Sequence, residues 1–189
     1  MNRDLSGYVK TYNNWFDKKK CKKIVSEIEK NHWQQHAFYD VRTNSSDTRS
    51  GDKELDVSYT ADAETEKYVM QRIWDGYLRY VTDLNFSWWS SWQGFSRVRF
   101  NRYVETRVMA EHCDHIHSIF EGERKGIPVM TALGLLNDDF EGGELVMWED
   151  EVIKFKGGDL LVFPSVFLYP HRIEPVTKGV RYSCVSWAW

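Results

Sequence analysis

The sequence predicts a mainly β fold, an antiparallel sandwich or barrel with helices packed on one side. Up to about residue 90, apolar residues recur at helical spacing in two segments. Beyond Ser90 the chain breaks into short, closely spaced, strand-like runs separated by turn residues. The length sets the scale: 189 residues suffice for one buried core, and no repeat, low-complexity tract or composition break marks a second unit. Residues 1–189 therefore read as a single domain, with 1–90 as a helical support region and 91–189 as the β core.

The first helix is expected from Asp17, whose carboxylate can cap a segment in which Cys21, Ile24, Val25 and Ile28 share one face. Lys18, Lys19, Lys20, Lys22 and Lys23 lie opposite and read as a solvated face rather than a functional charge cluster. Residues 43–53, TNSSDTRSGDK, are polar and rich in Gly, Ser and Asp, the composition of an exposed loop. A second helix starts near Asp62, where Met70, Ile73, Trp74, Tyr77, Leu78 and Val81 form a stripe suited to covering a sheet. Strands are then expected at 94–103, 107–113, 128–136, 144–148, 151–154, 159–163, 171–174 and 180–187. Gly142-Gly143, Gly157-Gly158 and Lys178-Gly179 supply turn signals between them.

Composition excludes several classes. A net charge of −3 gives no bulk electrostatic reason to expect nucleic acid. Cys21, Cys113 and Cys184 are odd in number, far apart and without a CxxC pair, so reduced thiols are expected and a cytoplasmic location with them. No apolar run approaches a membrane span, and residues 1–10 lack the apolar stretch of a signal peptide.

The chemistry gathers at three places. In His112-Cys113-Asp114, side chains at i and i+2 of an extended segment point the same way, so His112 and Asp114 can meet one ion while Cys113 turns aside. One further imidazole would complete a two-histidine, one-carboxylate facial set, an arrangement that leaves metal positions open for small ligands. His171 can supply it. Ten residues on, Arg181 and Ser183 share a strand face, where a guanidinium and a hydroxyl can grip one carboxylate together.

HxD, a distal histidine and an arginine ten residues later in RxS resemble the 2-oxoglutarate/Fe(II)-dependent oxygenases, and within them the prolyl-4-hydroxylase-like branch, including small bacterial and phage-encoded members. The resemblance runs from about Arg97 to Trp187. It takes in Tyr103, LNDDFEGGEL at 136–145, GDLLVFPS at 158–165, HRIEPVTKGVRYS from His171, and a closing tryptophan strand. It implies a double-stranded β-helix, or jelly roll, with iron at one mouth. His112, Asp114 and His171 would be the iron ligands and catalytic centre. Arg181, assisted by Ser183, would hold the distal carboxylate of 2-oxoglutarate, and Tyr103 would hydrogen-bond that co-substrate or line its site. The sequence departs from the family pattern twice. Thr106 stands where a glycine is usual, and Leu135 where a co-substrate-binding tyrosine is usual; Thr131, on the same face, is the expected substitute.

Other residues divide between two readings. His115 and His117 are rival ligands by spacing, but they read better as loop-capping or substrate-contact residues. Residues 118–126 are suited to a lid. Arg97, Arg99 and Asn101 share a strand face with Tyr103. Either Arg99 and Asn101 line the site as substrate contacts, or they form an outward polar stripe with Val98 and Phe100 facing the core. Most tryptophans, Trp88, Trp89, Trp92, Trp187 and Trp189 among them, read as packing residues, with Trp148 at the site's rim. Asp138, Asp139 and Glu141 read as solvated turn residues.

The resemblance implies a dioxygenase taking Fe(II), 2-oxoglutarate and O2, with ascorbate as a reductant in vitro. It would hydroxylate a peptidyl proline or other residue while 2-oxoglutarate is decarboxylated to succinate. A free amino acid, small metabolite or nucleobase is the alternative substrate. A non-catalytic jelly-roll binding module would be expected to have lost a ligand. A zinc hydrolase would have no use for Arg181 and Ser183.

Overall fold

The computed structural model describes residues 4–40, 43, 45–89, 92–115 and 127–189. The first helix, Lys18–Ile28, starts where the Asp17 carboxylate accepts from the Lys20 amide. It buries Cys21, Ile24 and Ile28 and leaves the lysines in solvent. The second, Ala63–Leu84, is capped by Asp62, which accepts from the Thr65 amide, and it ends at Asn85 in the left-handed conformation. Its buried stripe is Val69, Ile73, Gly76, Tyr77 and Tyr80. Leu78, expected in that stripe, is 47% exposed. It sits one residue, about 100° of helix rotation, past Tyr77 and so turns out of the interface.

All eight expected strands form, with ends shifted by up to five residues; Leu160–Pro164 and Arg181–Ala188 each run one residue past the expected end. The main sheet has seven strands in the order Lys10–Tyr12, Leu160–Pro164, Met130–Leu135, Arg181–Ala188, Arg99–Tyr103, Asp56–Ser58 and Gln34–Gln35. A second sheet orders Glu151–Ile153, Leu145–Met147, His171–Ile173 and Met109–His112. All strand pairs in both sheets are antiparallel.

Strand periodicity divides the interior into two cores. On one face of the main sheet Val98, Phe100, Met130, Ala132, Leu160, Val162, Tyr182 and Cys184 pack against both helices. On the other, Tyr103, Leu133, Leu161, Phe163, Val185 and Trp187 pack against Met109, Leu145, Met147 and Ile173 of the second sheet. The molecule is thus three layers: helices, a large sheet and a small sheet. Buried on both faces, Arg181–Ala188 is the spine.

Two expectations about the N-terminal region need correction. It is more than helical support, because Lys10–Tyr12, Gln34–Gln35 and Asp56–Ser58 extend the main sheet. Residues 43–53 are not loop throughout: Ser45–Asp47 pairs antiparallel with Phe38–Asp40. The strand Ser45–Asp47 is exposed at every side chain, so no alternation marks it in sequence. Trp88, expected to pack, stacks on Phe86 yet is 66% exposed, whereas Trp92 is wedged between Trp74 and Tyr77.

Gly134 shows how tightly the helix-side core is filled. A Cβ there would lie 2.6 Å from Cε2 of Phe16 and 2.8 Å from Sγ of Cys184, both buried. Gly134→Ala is expected to cost about 1–3 kcal/mol by overpacking, read as a lower urea midpoint at an unchanged slope.

Candidate metal centre

His112 closes the strand Met109–His112, and its register partner on the neighbouring strand is His171. The chain leaves that strand and returns Asp114 to the same face. The result is a buried cluster in which one ligand atom from each residue lies within 4.8 Å of the others. Nε2 of His112 is 3.3 Å from one Asp114 oxygen, and Nε2 of His171 is 3.9 Å from the other.

The backbone sets the tautomers. Nδ1 of His112 lies 2.9 Å from the Ala110 carbonyl and Nδ1 of His171 lies 3.1 Å from the Tyr169 carbonyl. A carbonyl can only accept, so both Nδ1 atoms carry hydrogen and both Nε2 lone pairs face Asp114. The edges of Phe38 and Phe163 hold the two rings in place.

Protonation suits a cation. Burial works to raise the Asp114 pKa, but His171, His112 and the Thr131 hydroxyl together outweigh it and hold the carboxyl well below the usual range. Burial, reinforced by His112, lowers the His171 pKa to about 4, so its imidazole is neutral at pH 7. Two imidazoles and one carboxylate, converging in a buried cluster, suit a divalent first-row metal.

Thr131 was expected to contact a co-substrate. Its hydroxyl instead donates to Asp114 at 2.7 Å and lies 2.7 Å from Oγ of Ser165. Having one proton, Thr131 must accept from Ser165, which makes a two-hydroxyl relay that aims the carboxylate. Thr131→Val is expected to weaken metal affinity by about 10- to 100-fold, measurable by competition with a chelator of known affinity.

Arg181 lies deeper on the same inner face. It is 1% exposed, its Nη1 is 3.3 Å from Oγ of Ser183, and its Nη2 has no hydrogen-bond partner. Its Cζ stands 4.9 Å from the Tyr103 ring centroid. Among the described residues no carboxylate oxygen comes within 4.0 Å of it. A buried guanidinium without a counter-ion is costly, and it marks a seat for an anion. Leu135 is the register partner of Ser183, so the usual tyrosine hydroxyl is replaced by an apolar wall.

Arg181 borders a cleft of about 450 Å³ that also meets Lys154 and Lys156. The triad borders a separate cavity of about 30 Å³ with Tyr103, Arg99 and Asn101. Leu145 lines both and stands between them.

The two readings of the Arg99 strand are resolved by geometry. Val98 and Phe100 face the helix-side core, while Arg99, Asn101 and Tyr103 line the triad cavity. Arg97 lies outside, bonded to Glu66 through both oxygens. Trp148 does not line the cavity. Its indole donates to the Leu168 carbonyl and bears on Tyr169, bracing the segment that enters His171. His115 is exposed and outside the cluster. His117 and residues 118–126 lie outside the described residues. Thr106, in place of the usual glycine, has φ of +72°, a conformation β-branched residues rarely adopt.

Sequence reading missed Ser165, Phe38 and His36. Ser165 sits in a segment already quoted for its resemblance, but its partner Thr131 is 34 positions away, and only folding joins them. His36 lies edge-on to Phe38, with Nδ1 buried and without a partner, and no local motif marks it.

Residues 98–189 match the family model described as the 2OG-Fe(II) oxygenase superfamily. Over those residues, just under half of its length, the chain is similar to that superfamily. The chain is 38% identical over 95 residues to a PKHD-type hydroxylase of Idiomarina loihiensis, and 36% identical over 95 residues to one of Methylobacterium nodulans. These matches cover 49% and 47% of the chain, and 41% of each relative's own length. Solved structures share the fold. A viral collagen prolyl hydroxylase of Paramecium Bursaria Chlorella virus-1, in a 2OG complex, matches with a TM-score of 0.66 at 15% identity over 97% of both chains. A prolyl hydroxylase of Trichoplax adhaerens, bound to a hypoxia inducible factor peptide fragment, matches with a TM-score of 0.70 at 17% identity, over 96% of this chain and 83% of that one. The three layers of the chain are therefore those of the jelly roll. Among its described residues, no helix is long and apolar enough to cross a membrane.

Proposed function

We propose that this chain is an Fe(II)- and 2-oxoglutarate-dependent dioxygenase that hydroxylates a substrate C–H bond, with 2-oxoglutarate decarboxylated to succinate. The observation that carries the reading is the pairing, on one inner face, of a buried two-histidine, one-carboxylate cluster with a buried arginine that has no counter-ion among the described residues. A zinc hydrolase would need the first and have no use for the second.

Iron bound to these residues would supply oxygen activation. The chain does the rest. His112, Asp114 and His171 hold the metal through Nε2, a carboxylate oxygen and Nε2. The two carbonyl contacts and the Thr131–Ser165 relay keep those atoms aimed. Arg181 and Ser183 hold the distal carboxylate of 2-oxoglutarate, with the Tyr103 ring packed beside the guanidinium. Tyr103, Met109, Leu133, Phe163, Ile173 and Trp187 keep the cavity dry, which strengthens each of these electrostatic contacts. Leu145 must turn aside for a five-carbon dicarboxylate to reach from Arg181 to the triad.

A peptidyl proline or other residue is the substrate favoured by the structural neighbours, one of which is seated on a peptide. A free amino acid or small metabolite is the second reading, favoured by the small cavity beside the triad and by Arg99 within it. The free thiols suit a cytoplasmic setting. The deciding assay is succinate formation from 2-oxoglutarate by protein given Fe(II), ascorbate and air, with Zn(II) in parallel. Succinate with iron alone supports the reading. Activity with zinc and none with iron sinks it.

A further inference from the structure

The cavity holds a second unpaired arginine. Arg99 is 9% exposed, lines the triad cavity, and is fixed by donation from Nε to Oδ1 of Asn101 at 2.9 Å. Its Cζ stands 4.8 Å from the Trp187 ring centroid, so the stem is clamped while the two terminal nitrogens remain for another partner. Among the described residues no carboxylate oxygen lies within 4.0 Å of it. Among the described residues Asp114 is the one acid lining the cavity, and Thr131 and the histidines already occupy it.

The register separates Arg99 from the co-substrate seat. Arg181 opposes Tyr103, Ser183 opposes Asn101 and Val185 opposes Arg99, so the two arginines stand at opposite ends of one polar row. Asn101 links them, donating to Ser183 at 3.4 Å while it accepts from Arg99. On the proposed function, which this inference rests on, a divalent ion and two arginines face one aspartate, leaving three positive charges. A dicarboxylate co-substrate cancels two. One is left at the Arg99 end, where uncompensated buried charge is most costly.

We infer that Arg99 binds a carboxylate of the substrate, so that the enzyme acts on an acid. That group belongs either to a small carboxylic acid or chain terminus, or to an acidic side chain within a peptide. A planar guanidinium held at Nε offers its outer edge to both oxygens of such a group, fixing orientation as well as affinity. The target C–H bond then lies a few bonds from that carboxylate, within reach of the triad.

The test uses the whole chain loaded with Zn(II) and saturated with 2-oxoglutarate, so that binding is read without turnover. N-acetyl amino acids and their carboxamides, which differ chiefly in charge, are titrated by calorimetry up to about 10 mM. N-acetyl-aspartate and N-acetyl-glutamate α-amides form the side-chain arm. The expected result is at least about tenfold tighter binding of one acid than of its amide. That difference should vanish in R99Q and partly survive in R99K, with 2-oxoglutarate affinity unchanged in both. Which arm binds tells the terminus from the side chain. Equal binding in every pair, or no binding by any, overturns the inference. So does a loss of 2-oxoglutarate affinity in R99Q, which would move Arg99 into the co-substrate seat. Wild-type protein that fails to bind 2-oxoglutarate with metal present would instead reject the underlying function.

Discussion

His171→Ala is expected to abolish succinate formation and to lower metal affinity by more than about 100-fold, beyond what loss of an outer partner costs. The argument is geometric. His171 is a buried, neutral imidazole whose Nδ1 is tied to the Tyr169 carbonyl, so its Nε2 has no role except toward the cluster. The remaining pair, His112 and Asp114, lies two residues apart in one segment and cannot enclose an ion. Folding should survive, because the deleted ring lines the small triad cavity beside His112 and Phe163 and its loss removes no apolar side chain from either core. Metal content after dialysis, measured beside a thermal melt, checks both parts. Retained metal at one equivalent per chain with normal melting would remove His171 from the centre.

The second large effect is expected at Arg181. Arg181→Met should weaken 2-oxoglutarate binding by about two to three orders of magnitude, the cost of removing one partner of a desolvated charge pair, and leave metal affinity unchanged. The same variant should be at least as stable as the parent without co-substrate, and up to about 1–4 kcal/mol more so, because an unpaired buried charge is replaced by an apolar chain of similar volume. Opposite signs for binding and stability are the mark of a residue retained for a ligand. Calorimetric titration of 2-oxoglutarate and urea denaturation of the ligand-free protein supply the two numbers. A destabilised Arg181→Met with full affinity would make Arg181 structural.

Both sites could be read in part before folding. His112 and Asp114 were legible because period-two alternation on an extended segment places i and i+2 on one face, a strictly local consequence of backbone geometry. The Arg181–Ser183 pair was legible for the same reason. Eight of the ten described strands between Arg99 and Ala188 were legible from their turn residues; Phe140–Gly142 and Val176–Gly179, which pair with each other, were not. Short edge strands such as Gln34–Gln35 and Ser45–Asp47 were not, since two or three exposed residues carry no periodic signal.

What the sequence by itself determined, then, is the fold class, the helix caps at Asp17 and Asp62, and which side chains share a strand face. Only the tertiary structure decided which faces look inward. The sequence left two readings of the Arg99 strand open because both of its faces are buried: Val98 and Phe100 are as enclosed as Arg99 and Asn101. Alternation shows that the sets differ but not which one meets the helices. Pairing beside Arg181–Ala188, with the helices behind, turned the polar set toward the triad. The same holds for Thr131, whose partners Asp114 and Ser165 come from separate parts of the chain. Contacts between residues dozens of positions apart follow from sheet order, which no local spacing encodes.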